Sequence, residues 1–206
     1  YPDTFWSFKH ALKFVSKRAA YPPLGLLTVA SLLPSDWKTK LVDMNTDNLK
    51  DADIAWADYV FLSAMGIQGQ AMLEVVSRCK QLHARVVAGG PLFASGHDQH
   101  EHFSGVDHFV LGEAEGIMPR LVADLESGTP QRIYSLEDRP DIRNSPGPAW
   151  HLIDTRKYVT LSVQYSRGCP FNCDFCDIVL LNGHVPRTKD AGQLISELEA
   201  IYRLGW

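Results

Sequence analysis

The sequence has no long hydrophobic run. Its longest apolar stretch, Leu24 to Leu33, is about ten residues broken by Gly25, Thr28 and Ser31, far short of the roughly 20 that cross a bilayer as a helix. The residues ahead of it do not read as a secretory signal, so no transmembrane segment is expected. An excess of one charge is missing too: 20 Lys and Arg face 24 Asp and Glu, a formal net charge of -4. No global basic field draws the chain to nucleic acid, and none is expected as a partner. Low-complexity tracts are absent, and 45% hydrophobic with 21% charged residues over 206 positions is globular composition. Cysteine is scarce, at four residues. Cys169, Cys173 and Cys176 are crowded onto one short stretch and cannot all pair with Cys79, so a secreted disulfide scaffold is excluded and a reducing cytoplasm is the expected setting.

From Leu24 to about Ser127 helical and strand-like segments alternate, the pattern of βα units on a parallel sheet. Leu24–Leu33 reads as a helix closed by Pro34, Lys38–Val42 as a strand and Leu49–Ala57 as a short helix. Tyr59–Ala64 reads as a buried strand, Ala71–Leu82 as a helix with Met72, Val75, Val76, Cys79 and Leu82 on one face, and Arg85–Ala88 and His108–Leu111 as further strands. A helix over Gly116–Leu125 ends at Gly128. The expected fold is a doubly wound, Rossmann-like α/β domain over residues 1–134. Pro140, Pro146, Gly147 and Pro148 mark 135–158 as a linker. Val159–Tyr165 then reads as a strand, Ser166 to about Arg187 as a long loop, and Ala191–Leu204 as a helix with Leu194, Ile195, Leu198, Ile201 and Tyr202 on one face. That single βα unit, 159–206, cannot bury its own sheet edge, so its partners are expected beyond Trp206. With Tyr1-Pro2-Asp3 at the start and no initiator Met, the 206 residues are expected to be a piece of a longer protein, unable to turn over alone.

Ligands of such sheets bind at the carboxyl ends of the strands. Those ends are Ser63-Ala64-Met65-Gly66, Gly89-Gly90-Pro91 and Gly112-Glu113-Ala114-Glu115. Glycine also simply ends strands, but small residues at three successive ends suit the close approach of a flat or bulky ligand. Glu113 and Glu115 could form an acid–base dyad; ordering the loop, or meeting a ligand there, is the preferred reading. The His97-Asp98-Gln99-His100-Glu101-His102 segment has metal-binding residue types without a helical or strand face, and reads as a solvated loop.

The sharpest motif is Arg167-Gly168-Cys169-Pro170-Phe171-Asn172-Cys173-Asp174-Phe175-Cys176. Three thiolates on one loop can converge on a soft metal centre. Structural zinc wants four ligands, which His184 could complete, and an electron-transfer cluster wants a fourth Cys, which Cys79 in its amphipathic helix does not supply. A 4Fe-4S cluster held by three Cys leaves one iron open to a small molecule.

This CxxxCxxC triplet, with an aromatic before its last Cys and a strand ahead of it, resembles the radical S-adenosylmethionine superfamily. The resemblance implies a partial TIM barrel opening at Val159, Cys169, Cys173 and Cys176 as ligands of a 4Fe-4S cluster, Phe175 beside the adenine of S-adenosylmethionine, and cleavage to a 5′-deoxyadenosyl radical. It also implies an external reductant such as flavodoxin or ferredoxin. Upstream, Pro22-Pro23-Leu24-Gly25, Asp43, Ala57-Asp58, Gly89-Gly90-Pro91 and Gly112-Glu113-Ala114-Glu115 resemble the cobalamin-binding domain of the B12-dependent members. Ser63, Gly89, Gly90, Gly112 and Glu113 are the cobalamin-facing residues it implies. Where the methionine-synthase type carries Asp-x-His-x-x-Gly, this chain has Tyr21-Pro22-Pro23-Leu24-Gly25, so cobalamin is expected without a His lower ligand. Thr4-Phe5-Trp6-Ser7-Phe8, Lys17-Arg18-Ala19-Ala20-Tyr21 and Pro186-Arg187-Thr188-Lys189 resemble a subgroup that includes hopanoid methylases. The implied activity is methylation of an unactivated carbon in a small, lipid-like molecule. A radical rearrangement or cyclisation with structural or absent cobalamin, and a non-catalytic Fe–S or zinc protein, are the alternatives.

Overall fold

The computed structural model describes residues 9–94 and 99–206. Thr4–Phe8, and His97 and Asp98 of the His-rich segment, lie outside the described residues. In chain order the helices and strands are α1 Lys9–Phe14, α2 Leu24–Ser31, α3 Asp51–Trp56, β1 Tyr59–Ser63, α4 Gly69–Gln81, β2 Arg85–Gly89, α5 Pro91–Ala94, β3 His108–Leu111, α6 Ala114–Ser127, β4 Ile133–Ser135, β5 Ser166–Arg167, α7 Ile178–Asn182, β6 Arg187–Thr188 and α8 Ala191–Arg203. None of these helices is long and apolar enough to cross a membrane among the described residues. They fall into two compact units, Lys50–Asn144 with Ser166–Thr188, and Tyr1–Leu49 with Ser145–Tyr165 and Lys189–Trp206.

The first of these units is built on a parallel four-stranded sheet in the order β1-β2-β3-β4. Its strands form where the sequence runs apolar without alternation, as in Phe61-Leu62 and Val86-Val87-Ala88, because a parallel sheet is covered on both faces. The register sets Ser63 against Gly89 and Gly89 against Val110, so the carboxyl ends of β1, β2 and β3 share one edge. Asp107 helps fix it: its carboxylate accepts from the Val86 amide at 2.7 Å, and its own amide donates to the Val86 carbonyl. One face is covered by α4 through buried Met72, Val75, Val76 and Cys79, at i, i+3, i+4 and i+7. Ile117, Met118, Leu121, Val122 and Leu125 are the buried stripe of α6. Phe93 meets Phe103 and Phe109 edge-on at 5.2 Å. At the end of α6, Gly128 takes the left-handed conformation, φ 75°, and Thr129 donates to the Asp124 carbonyl, a glycine stop. Buried Tyr134 in β4 donates to Asp124 and accepts from the Gln131 amide, both at 2.8 Å.

In the other unit Leu27, Trp150 and Ile201 form the core, with Leu41, Leu161 and Val163 packed on it. The Ala149 amide donates to the Leu27 carbonyl, and the buried Tyr158 hydroxyl donates to Asp43 at 2.9 Å. Asp190 caps α8 by accepting from the Gln193 amide. Lys189 and Glu197, both buried, form an ion pair.

Four sequence readings need correction. Lys38–Val42 forms no strand among the described residues, and Leu41 packs on the Leu27 core. Val159–Tyr165 is assigned to no strand: the Val159 and Thr160 amides donate to the Ala19 and Ala20 carbonyls, and the Lys189 amide donates to the Tyr165 carbonyl. The 135–158 stretch is not an open linker, because it contains one-turn helices at Ile142–Asn144, Trp150–Leu152 and Thr155–Lys157 and buries Ile142 and Trp150. The Ser166–Arg187 loop contains helix α7.

Candidate functional site

The glycines at the sheet edge do two different jobs. A Cβ on Gly89 would stand 2.9 Å from the Val110 carbonyl oxygen, so its hydrogen is required by strand packing. Gly90, at φ +90°, would press a Cβ to 2.3 Å from the Ser63 hydroxyl. Gly112 differs: at φ +115° it also needs glycine, yet nothing lies within 4 Å of where its Cβ would be. Open space beside the backbone at a strand end is a cradle for a flat ligand. Ser63, Met65 and Ile67 are exposed along the turn after β1.

The cysteine loop belongs to the same compact unit as this sheet. Its two arms begin as an antiparallel ribbon in which Ser166 pairs with Thr188 and Arg167 with Arg187. Just inside the ribbon, Gly168, φ +96°, lies so close to the other arm that a Cβ would be 2.4 Å from the Val185 carbonyl oxygen. The Cys169 amide donates to the Gly183 carbonyl at 3.0 Å, and the Cys176 amide to the Cys173 carbonyl at 3.1 Å. Cys169 is thereby anchored on the ribbon, while Cys173 and Cys176 share a turn of their own.

Four charges join the base of the loop to the turn after β3. Arg167 donates to Glu113 at 2.8 Å and to both oxygens of Glu115 at 3.0 and 2.6 Å. Arg187 donates through both terminal nitrogens to Glu113, and also to the Pro140 and Asn182 carbonyls. Side-chain exposure is 8% for Glu113, 5% for Glu115, 13% for Arg167 and 17% for Arg187, so water screens this group poorly. Burial pulls the Arg167 pKa down, but the hydrogen bonds and charges of Glu115 and Glu113 outweigh it and hold the value above that of a free guanidinium. Both carboxylates are engaged by guanidiniums, the arrangement expected of groups that order the loop. The Glu113 carboxylate itself is spent on the two arginines.

All four cysteines are free thiols. Cys79 is fully buried in α4, a core residue whose thiol pKa burial pushes up. Cys173 is exposed and Cys169 and Cys176 partly so, while Phe175 is 91% exposed. Among the described residues no three His, Cys, Asp or Glu side chains are gathered as a metal-holding group, so the thiols share a loop without yet converging. Three unpaired soft donors on an accessible loop fit an iron–sulfur cluster in kind, and the open side of Gly112 fits a flat macrocycle.

A B12 binding domain model matches residues 15–122. The chain belongs to the B12-binding domain family. Within this family the chain is similar to an uncharacterized methyltransferase of Synechocystis sp., 41% identical over 206 residues, which are all of this chain and 38% of that protein. It is 37% identical over 207 residues to a hopanoid C-2 methylase of Rhodopseudomonas palustris, covering 100% of this chain and 39% of that protein. With a bacteriochlorophyllide d C-8(2)-methyltransferase of Chlorobaculum tepidum it shares 27% identity over 185 residues, 85% of this chain and 40% of that protein. The B12-binding chain thus spans about two fifths of the length of these relatives.

Sequence reasoning singled out the Glu113/Glu115 pair and Arg167 in separate motifs and missed that they are partners. The signal was thin, since the partners are 54 and 52 positions apart and Arg187 is 74 from Glu113.

Proposed function

We propose that this chain is the cofactor-binding part of a cobalamin-dependent radical S-adenosylmethionine methylase, acting on an unactivated carbon of a small, lipid-like molecule. The observation that carries the reading is the placement of the CxxxCxxC loop in one compact unit with the strand ends of a B12-binding domain, joined by the Glu113/Glu115/Arg167/Arg187 group. When bound, a 4Fe-4S cluster supplies an electron and an open iron for S-adenosylmethionine, and cobalamin supplies the methyl group. Cys169, Cys173 and Cys176 would hold the cluster, the anchored Cys169 setting its place and the Cys173–Cys176 turn closing on it. Phe175, exposed one residue before Cys176, offers an aromatic face to the adenine. Gly112 would admit the corrin ring, with Ser63, Gly89 and Gly90 forming the packed floor beside it. Because Tyr21-Pro22-Pro23-Leu24-Gly25 holds no His, this stretch would offer cobalamin no histidine ligand. The modules follow 1–134 for cobalamin, 135–158 between, and 159–206 as the opening of the barrel, in a reducing cytoplasm with a flavodoxin- or ferredoxin-like donor.

The missing His also favours a second reading, in which cobalamin is structural or absent and the radical drives a rearrangement or cyclisation. Gel filtration with hydroxocobalamin, together with metal analysis after anaerobic reconstitution, tests both. Corrinoid absorption eluting with the protein and about four irons per chain support the methylase. Iron without corrinoid moves the choice to the second reading, and zinc in place of iron removes both.

A further inference from the structure

We propose that Glu113 and Glu115 are positioning residues for the cysteine loop: by neutralising Arg167 and Arg187 at its base, they make the strand end of the B12-binding domain set where Cys169 stands. The inference rests on the reading of that loop as the cluster site. Its physical basis is the ribbon. Each strand is two residues long, too short to hold together alone. Arg167 and Arg187 are direct cross-strand partners, and like charges so placed destabilise a pair of strands. What closes the ribbon is the carboxylate between them, for Glu113 accepts from both guanidiniums and Glu115 grips Arg167 from the side. The acids are themselves held where anions are favoured, Glu113 just before α6 and Glu115 in its first turn. From the ribbon, the tight Gly168–Val185 approach and the Cys169-to-Gly183 bond carry the placement to the first thiol. Gly112, with its open side, immediately precedes Glu113, so the turn that would face the corrin is the turn that grips the loop.

Peptide-resolved alkylation by iodoacetamide, run anaerobically on the metal-free protein, tests this. Cys79 serves as the internal report on the sheet. In Glu113→Gln/Glu115→Gln, the Cys169 rate is expected to rise about tenfold while Cys79 stays protected. The charge exchange Glu113→Arg/Arg187→Glu keeps opposite charges at the ribbon and is expected to return Cys169 to within about twofold of wild type. An unchanged Cys169 rate in the double glutamine variant overturns the proposal, as does a charge exchange that restores nothing. Parallel loss of Cys79 and Cys169 protection in both variants also overturns it, because the acids would then be holding the whole domain. Since the assay needs no cofactor, a protein that takes up no iron would refute the proposed function and leave this measurement standing.

Discussion

Alanine at each edge glycine separates packing from openness. At Gly90 the substitution forces a non-glycine residue to φ +90° and puts its Cβ 2.3 Å from the Ser63 hydroxyl. The backbone conformation costs about 1–2 kcal/mol. The clash adds about 1 kcal/mol, but the offending atom is the end of a small side chain, so Ser63→Ala in the same molecule is expected to recover most of that second part. At Gly89 the neighbour is the Val110 carbonyl, which cannot rotate away, and Gly89→Ala is expected to cost about 2–3 kcal/mol with no rescue from Ser63→Ala. At Gly112 only the φ +115° conformation is at stake, so Gly112→Ala is expected to cost about 1–2 kcal/mol. Urea unfolding followed by far-ultraviolet circular dichroism reads these as midpoint shifts of roughly 0.5–1.5 M, with m about 2 kcal/mol/M. The same Gly112→Ala protein should retain hydroxocobalamin less well than Ile201→Ala, a core change in the other unit expected to cost about 2–5 kcal/mol. A Gly112→Ala midpoint below that of Gly89→Ala, or a Gly90→Ala defect untouched by Ser63→Ala, would refute the division of roles.

The four-charge group should behave as a unit: Glu113→Ala is expected to cost about 2–4 kcal/mol, and Glu113→Gln with Arg187→Met at least about 1 kcal/mol less than the sum of the singles, by the same urea assay. Glu197→Ala strands the buried Lys189 cation and is expected to cost about 3–5 kcal/mol, whereas Glu197→Met with Lys189→Met should cost far less. Burial, and then the neighbouring Asp43 charge, push the Tyr158 phenol above its ordinary pKa, so the folded chain keeps a proton that unfolded tyrosine releases near about pH 10. Stability is therefore complete below about pH 10 and falls as pH rises past it. Unfolding midpoints between about pH 8 and 11 should fall less steeply in Tyr158→Phe, with some slope left by Tyr134, whose phenol burial also raises.

What could be read from the sequence was what local pattern determines. The runs at Tyr59, Arg85 and His108 became strands within a residue of their expected ends, and the α4 stripe fell on the expected Met72, Val75, Val76 and Cys79, with Leu82 just past the helix end. Lys38–Val42 and Val159–Tyr165 have strand composition, but a strand exists only where a neighbour completes its hydrogen bonds, and no local pattern supplies one. Ile133–Ser135 was overlooked because three residues carry no period, though pairing with Phe109–Leu111 makes them a strand. At the site, the cysteine motif and the glycine-ended strands were legible because spacing and residue type are local. Which glycines are packed and which is open, and which acid meets which arginine, depend on contacts between distant parts of the chain.

The central claim, a radical S-adenosylmethionine cluster on a B12-binding chain, is tested most directly by electron paramagnetic resonance of the anaerobically reconstituted, dithionite-reduced protein. The account predicts a 4Fe-4S signal that changes when S-adenosylmethionine is added and disappears in Cys173→Ala. A signal indifferent to S-adenosylmethionine, or one that survives Cys173→Ala, would contradict it.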